Sequence, residues 1–590
     1  MIAEGSEIQR KTIAARGEGQ SSKLTVLLCR IACVGFALFE TWSQRFFINE
    51  DGASYLDMSD ALIKHDWHLL VNPIWSPLYP FLIGAATWFA RPQAQLELEI
   101  VHALNFVIFL GALASFEFFL RQVIRVFRTE NERADANSAV FLPVWIWQLL
   151  GYSLFAWTTL GMMVAPRMVT PDLCVAAFVY LDCGLLLSLR AGIKRSRISI
   201  LLGLTLGLGY LAKAILFPMA FVFMIVAFFF IGDWKKATRS LALTFLVFCA
   251  IAAPFFVAMS TRVGKLSYSE VGNLNYAWHV NHVGAGKAAG GPFYFSDAGP
   301  PAYLRHPLTL LYRHPDAFDV REPTAFTYAP RQDMEYWAAG TKAGFNPGNQ
   351  LRAIAGGLKV LFADPHAAPV SGLIVVGVIL LVTGQKGRRN FKSILRGWPL
   401  LIPGILAPCL YLLVSVEPRY VAPFFVIVLM GLFPGLLLQR PADAANRIAA
   451  STVVVSISLM ALSALFVGYH LAGFPRGESN GLLLHVGQSL NAAGVRPGEE
   501  VAIVGDSADG CRWARMAHVR IVAQILREDV DDFWRLSDPR MKTEVYDAFA
   551  RAGAKAVVAE QAPPSGDLSD WQRLGDTDYY VHILTPSRSN

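Results

Sequence analysis

Eleven apolar runs, each near or above the length that crosses about 30 Å of hydrocarbon, dominate this 590-residue chain. They lie at about 24–41, 100–120, 139–158, 172–189, 198–212, 214–232, 240–258, 369–384, 398–416, 420–438 and 448–471. In hydrocarbon a backbone must satisfy its own hydrogen bonds, so runs of this length predict helices and not open sheet. The expectation is a polytopic α-helical membrane protein of about 11 transmembrane helices. A composition of 54% hydrophobic against 16% charged residues agrees with that class.

A further apolar stretch at 74–90 is interrupted by Pro77 and Pro80 and closed by Arg91-Pro92. Counting it as a crossing would put most later basic clusters outside, so it is read as interfacial or re-entrant. The inner loops (1–23, 121–138, 190–197, 233–239, 385–397 and 439–447) then carry 22 Lys/Arg, and the short outer loops six. That asymmetry predicts a cytoplasmic amino end and an extracytoplasmic carboxyl end, in a multi-pass protein of the cell's inner membrane. The net charge of +7 thus sits in juxtamembrane clusters, and nucleic acid is not an expected partner; the lipid bilayer is.

Three parts follow. Residues 1–23 read as a mobile cytoplasmic leader. Residues 24–471 form the transmembrane domain, with outer loops at 42–99 and 259–368 and an amphipathic helix expected near 352–362. Residues 472–590 alternate VAIVGD (501–506) and AKAVVAE (554–560) with helical stretches near 479–493, 511–527 and 541–552, which predicts a small extracytoplasmic α/β domain. Six of seven cysteines lie inside apolar runs, so neither disulfides nor a CxxC site is expected.

The outer face should hold the chemistry. Glu50 and Asp51 follow the first span directly. A carboxylate there can act as general base toward an acceptor hydroxyl; equally, either acid can cap the helix beginning near Ala53, with Asp57 and Asp60 on its solvated face. Asp172, in Thr170-Pro171-Asp172, suits the first turn of a helix but emerges on the same side as Asp51. Lys213, between two spans with almost no loop, and Arg419, in Glu417-Pro418-Arg419-Tyr420, can meet a phosphate or pair locally. Asp182 lies deep in its span with no assigned role, and Arg30 is the basic residue inside another. His279 and His282 lack a third ligand at recognisable spacing, so no metal site is expected.

At these residues the chain resembles the GT-C superfamily of polytopic glycosyltransferases, in the branch of protein O-mannosyltransferases and lipid A aminoarabinose transferases. Asp51-Gly52-Ala53-Ser54-Tyr55 looks like that family's acidic first-loop motif, with Gly52 in place of a Glu and Glu50 ahead of the Asp. Trp75-Ser76-Pro77-Leu78-Tyr79-Pro80 looks like its proline-bearing juxtamembrane segment. Thr170-Pro171-Asp172, Gly203 through Lys213, and Arg419-Tyr420 follow in the family's order.

The resemblance implies a hexosyl- or pentosyltransferase moving sugar from a polyprenyl-phosphate donor to a glycan, lipid or protein acceptor on the outer membrane face. It implies catalytic roles for Asp51, Asp172 and Glu50, donor-phosphate contacts from Lys213, Arg419 and Arg167, and substrate contacts from Tyr55 and Tyr420. Some GT-C members use a divalent metal, so the resemblance leaves one open. The alternatives are a transporter or flippase of a lipid-linked or small solute, and a non-catalytic assembly or sensor protein.

Overall fold

The computed structural model describes residues 2–91, 93–134, 142–190, 194–282, 304–323, 326–383, 396–437, 442–473, 481–505, 507–536, 538–560 and 568–584. A helix stands at every one of the apolar runs. Among the described residues six helical stretches are long and apolar enough to cross a membrane: Gly19–Ser43, Glu97–Arg128, Asp172–Arg190, Trp234–Val263, Pro418–Leu436 and Asp443–Gly473. Pro347–Ala363 and Ala368–Thr383, bent by 96°, make a seventh if they are one broken crossing. The helices at the other runs, such as Leu216–Ile231 and Trp398–Leu412, are shorter because breaks such as Lys213 and Gly232 divide the apolar sequence.

The first helix begins at Ile2, ahead of the span itself. Pro347–Ala363 covers the stretch expected to be amphipathic. It buries only Gly357 and Leu361 and leaves Leu351, Leu358 and Phe362 exposed, as a helix lying along an apolar boundary would.

Two charged side chains within the bundle are closed locally. Arg30 pairs with Glu117 at 2.5 Å, and the Tyr152 hydroxyl donates to the same carboxylate at 2.6 Å. Asp182 accepts a hydrogen bond from Thr205 on the neighbouring helix Arg195–Ala212. That helix packs closely on Trp234–Val263: a Cβ at Gly203 would stand 2.4 Å from the Thr244 carbonyl oxygen, and one at Gly207 2.7 Å from Ile251 Cβ. Bare backbone is what allows this approach.

Outside the bundle lies a seven-stranded sheet of order β1-β2-β4-β3-β5-β7-β6. Its centre is parallel: β3 (Glu500–Val504) lies between β4 (Arg520–Ile525) and β5 (Ala556–Ala559). Helices Ser507–Ala517 and Pro539–Arg551 make the crossovers. One flank carries β7 (Tyr580–Ile583) and β6 (Gln572–Arg573), both antiparallel.

The other flank comes from the large loop: β1 (Thr309–Tyr312) and β2 (Ala317–Asp319), with β2 antiparallel to β4. Sequence reading does not anticipate this addition. It also extends a helix over 511–527, whereas the helix stops at Ala517 and Ile521–Ile525 are buried strand; the β-branched run IVAQI favours a sheet interior.

The packing at Gly203 gives the first prediction. Gly203→Ala forces Thr244 backbone to move, so the protein should lose about 1–3 kcal/mol, read as a lower unfolding midpoint in detergent; an unchanged midpoint contradicts the close approach.

Candidate active site

The two acids are delivered by helix starts. Asn49 occupies the N-cap position of helix Glu50–Ile63, which puts Glu50 and Asp51 in the first turn, where the helix dipole favours negative charge. Asn49 Oδ1 does not cap its own helix; it accepts the Val169 N–H at 2.9 Å and so ties this loop to the one carrying Asp172. Asp172 opens helix Asp172–Arg190 and accepts a 2.8 Å bond from the Thr170 hydroxyl.

Helix Glu97–Ala134 stitches the same two loops together. Buried His102 lies 2.8 Å from the Phe47 carbonyl and 3.4 Å from that of Pro166. Asn105 donates to the Pro166 and Met168 carbonyls at 3.1 Å each and accepts from the Tyr79 hydroxyl at 2.7 Å.

Cations bridge the acids. Arg419, at the start of helix Pro418–Leu437, sits 3.2 Å from Asp51 and 3.7 Å from Asp172, with Glu417 at 2.5 Å. Lys213 Nζ lies 2.6 Å from Asp172 Oδ1 and 3.8 Å from the centre of the Tyr420 ring. Arg331 pairs with Glu50 at 2.8 Å and with Asp51 at 3.0 Å. The Asp172 side chain is only 5% exposed and that of Arg419 14%, a depth at which an unpaired charge would be expensive.

The aromatic candidates belong to the same cluster. Tyr55, one turn below Asp51, is buried with edge-on contacts to Trp75 and Tyr79 at 5.3 Å each. Burial, then the charges of Asp51 and Asp172, push its hydroxyl well above the ordinary range, so it stays protonated. Tyr420 lies 3.3 Å from both Glu417 and Arg419 and stacks on Tyr411.

Asp51, Asp172, Glu50, Lys213, Arg419, Tyr55 and Tyr420 thus meet in one place. Arg167 is placed with a different set: its guanidinium covers Phe47 at 3.8 Å and lies 3.5 Å from His470, which pairs with Glu40.

Arg331 is the member that sequence reading misses. It lies 280 positions from Asp51, in a loop whose local sequence carries no motif. Its placement depends on Asp57, which is buried and not on the solvated helix face expected. Asp57 accepts both the Thr327 N–H at 3.0 Å and the Thr327 hydroxyl at 2.7 Å, four residues before Arg331. The Thr327 carbonyl in turn accepts the Ile521 N–H of β4 at 2.8 Å.

From the other side comes Arg515, 2% exposed, which reaches Glu97 at 2.6 Å, Asp60 at 3.1 Å and Asp57 at 3.6 Å. The carboxyl-terminal domain and the large loop are therefore fastened to the helix that carries Asp51.

Such a constellation can hold a phosphate. Arginine donors now facing Asp51 match phosphate oxygens, and exchanging one anion for the other would free the carboxylate to accept a proton. Among the described residues no group of three His, Cys, Asp or Glu side chains is placed to hold a metal ion, so no step is assigned to one.

The class defined by fold and site is a helical membrane protein with a charged pocket at one end of its bundle, closed by a small sheet domain. No family model matches the chain, and no curated protein does. Among solved structures it is similar to the oligosaccharyltransferase of Archaeoglobus fulgidus complexed with zinc and sulfate, with a TM-score of 0.47 at 12% identity over 91% of this chain and 68% of that one. The same enzyme tethered to an acceptor peptide gives a TM-score of 0.49 at 12% identity, covering 91% and 69%.

ArnT from Cupriavidus metallidurans bound to undecaprenyl phosphate gives a TM-score of 0.45 at 12% identity, covering 96% and 98%. At 12% identity and TM-scores below 0.5 the likeness bears on neither substrate nor mechanism, which rest on the side chains.

The contact between domains yields a pH prediction with opposed signs. Burial pushes Asp57 from 3.8 up to about 6, against the pull of Arg515, so its share of stability is complete below about 4 and is lost as pH rises through 6. Burial and then the Arg515 charge lower His518 from 6.5 to about 4, so its share is complete above 6.5 and is lost as pH falls through 4.

Between those limits unfolding passes one proton from Asp57 to His518, and the two slopes offset. Relative to wild type, Asp57→Asn should gain unfolding free energy from pH 4 to 6 and His518→Gln should lose it, each by up to about 1.4 kcal/mol per pH unit. Parallel curves for all three proteins would contradict the assignment.

Proposed function

We propose that the protein transfers a sugar from a polyprenyl-phosphate donor to an acceptor on the outer face of the cytoplasmic membrane. The observation that carries this reading is Arg419 lying between Asp51 and Asp172, with Lys213 beside it. The cations would neutralise the donor phosphate, while Asp51, released from Arg419 and Arg331, would take the acceptor's proton. The acceptor oxygen forms a bond to the anomeric carbon as the carbon–oxygen bond to phosphate breaks, with inversion. Polyprenyl phosphate leaves with the bonding electron pair, and stabilising that charge is the largest electrostatic task.

Glu50 would hold Arg331 in place, and Tyr55 and Tyr420 would wall the sugar subsite. Arg167 would lie at the rim, where an approaching phosphate first meets positive charge. In this reading the chain makes eleven crossings, with 1–23 cytoplasmic and 472–590 outside.

The donor's tail has a candidate path. An apolar cavity of about 400 Å³ is lined by Leu429, Leu432 and Leu436 of helix Pro418–Leu437, together with Leu150 and Leu373. Along that helix it begins ten residues beyond Arg419, about 15 Å away, a separation suited to a long isoprenoid and not to a small solute. The transporter alternative gains no support from the spans, where Arg30 closes on Glu117 and Asp182 on Thr205.

Asp51→Asn should lower the transfer rate at least about a thousandfold, measured in proteoliposomes with polyprenyl-phosphate sugars, in protein that still unfolds cooperatively. Arg331→Gln should lower it about tenfold to a hundredfold. Full activity in Asp51→Asn removes that residue from the mechanism.

A further inference from the structure

At the far end of helix Arg195–Ala212, about 27 Å from Lys213 along the axis, lies a second charged site. A cavity of about 330 Å³ opens between the starts of this helix and of Trp234–Val263, walled by Arg195, Lys235, Lys236 and Arg239. Buried Ser199 and Ser240 form part of its lining; the Ser199 hydroxyl donates to Ser240 Oγ at 2.9 Å, leaving the Ser240 O–H to point to another acceptor. The tight approach at Gly203 and Gly207 fixes the spacing of the two helices below it.

The charge balance there is unlike that of the outer pocket. Lys236 pairs with Asp233 at 2.8 Å, and Arg195 donates to the Leu189 carbonyl at 3.4 Å. Among the described residues Lys235 and Arg239 have no acidic partner within ion-pair distance. The cavity therefore holds four cations against one neighbouring acid, around the Ser240 hydroxyl, which can also donate. A phosphate oxygen cluster is the chemistry that satisfies such a set. Immediately deeper along both helices Ile200, Leu201, Phe245 and Leu246 are exposed apolar side chains, a surface on which acyl chains can lie.

We propose that this cavity is a binding site for the phosphate headgroup of an anionic membrane lipid, its chains running along the apolar faces of the two helices. The cations come from loops 190–197 and 233–239, which the charge asymmetry assigns to the cytoplasmic side, where anionic headgroups attract basic clusters. The occupant is an amphiphile and not free phosphate, because the polar cavity continues into bare hydrocarbon-facing helix. The proposal is independent of the transfer reaction.

The test uses the delipidated full chain in detergent, with phosphatidylglycerol or phosphatidylcholine added back and bound lipid counted by native mass spectrometry. Phosphatidylglycerol should bind about tenfold more tightly than phosphatidylcholine. Lys235→Gln/Arg239→Gln should abolish that preference, while Arg125→Gln/Arg128→Gln, an equal charge change in another inner segment, should keep it. Millimolar inorganic phosphate should not displace the lipid. Equal loss in both double variants would reduce the effect to diffuse attraction and overturn the site, as would displacement by inorganic phosphate, which would make it a site for a free anion.

Discussion

A single guanidinium shared by two carboxylates organises one end of the helical bundle. Arg419 reaches Asp51 and Asp172, which start helices separated by more than a hundred residues, and with Arg331 on the first and Lys213 on the second it balances their charge. The contact requires three helix ends to open on the same side of the bundle and at the same height. It also requires the intervening loops to be rigid, which His102, Asn105 and Asn49 provide through backbone carbonyls and one backbone N–H.

The pocket is not a property of the bundle alone. Arg331 comes from a loop held on one side by Asp57 and on the other by β4, and β4 belongs to a sheet whose own crossover helix supplies Arg515 to the acids around Asp57. The first-loop helix is thus gripped on one face by the bundle and on the other by the carboxyl-terminal domain. Because the arginine donors face Asp51 in this arrangement, the proposed reaction begins with an exchange of partners: a donor phosphate takes the guanidinium groups, and the carboxylate is released toward the acceptor as substrate arrives.

Much of this is legible in the sequence where one force dominates. Hydrocarbon length sets the helix positions, and the sidedness of Lys and Arg brings Asp51, Asp172, Lys213 and Arg419 to a common face before any contact is known. The rest depends on tertiary contacts with no local signature. Asp57 reads as a solvated helix residue because its partners, Thr327 and Arg515, lie hundreds of positions away. IVAQI reads as a continuation of helix until a sheet is available to bury it, and that sheet draws β1 and β2 from a loop without strand periodicity. Arg30 illustrates the same limit inside the bundle, where its partner is Glu117, an acid hidden within an apolar run.

The most direct measurement is a structure of the full chain with a bound polyprenyl phosphate. The phosphate should lie within ion-pair distance of Arg419 and Lys213, with the Arg419–Asp51 contact opened and the isoprenoid following helix Pro418–Leu437. A phosphate bound elsewhere, with Arg419 still closed on both carboxylates, would contradict the account.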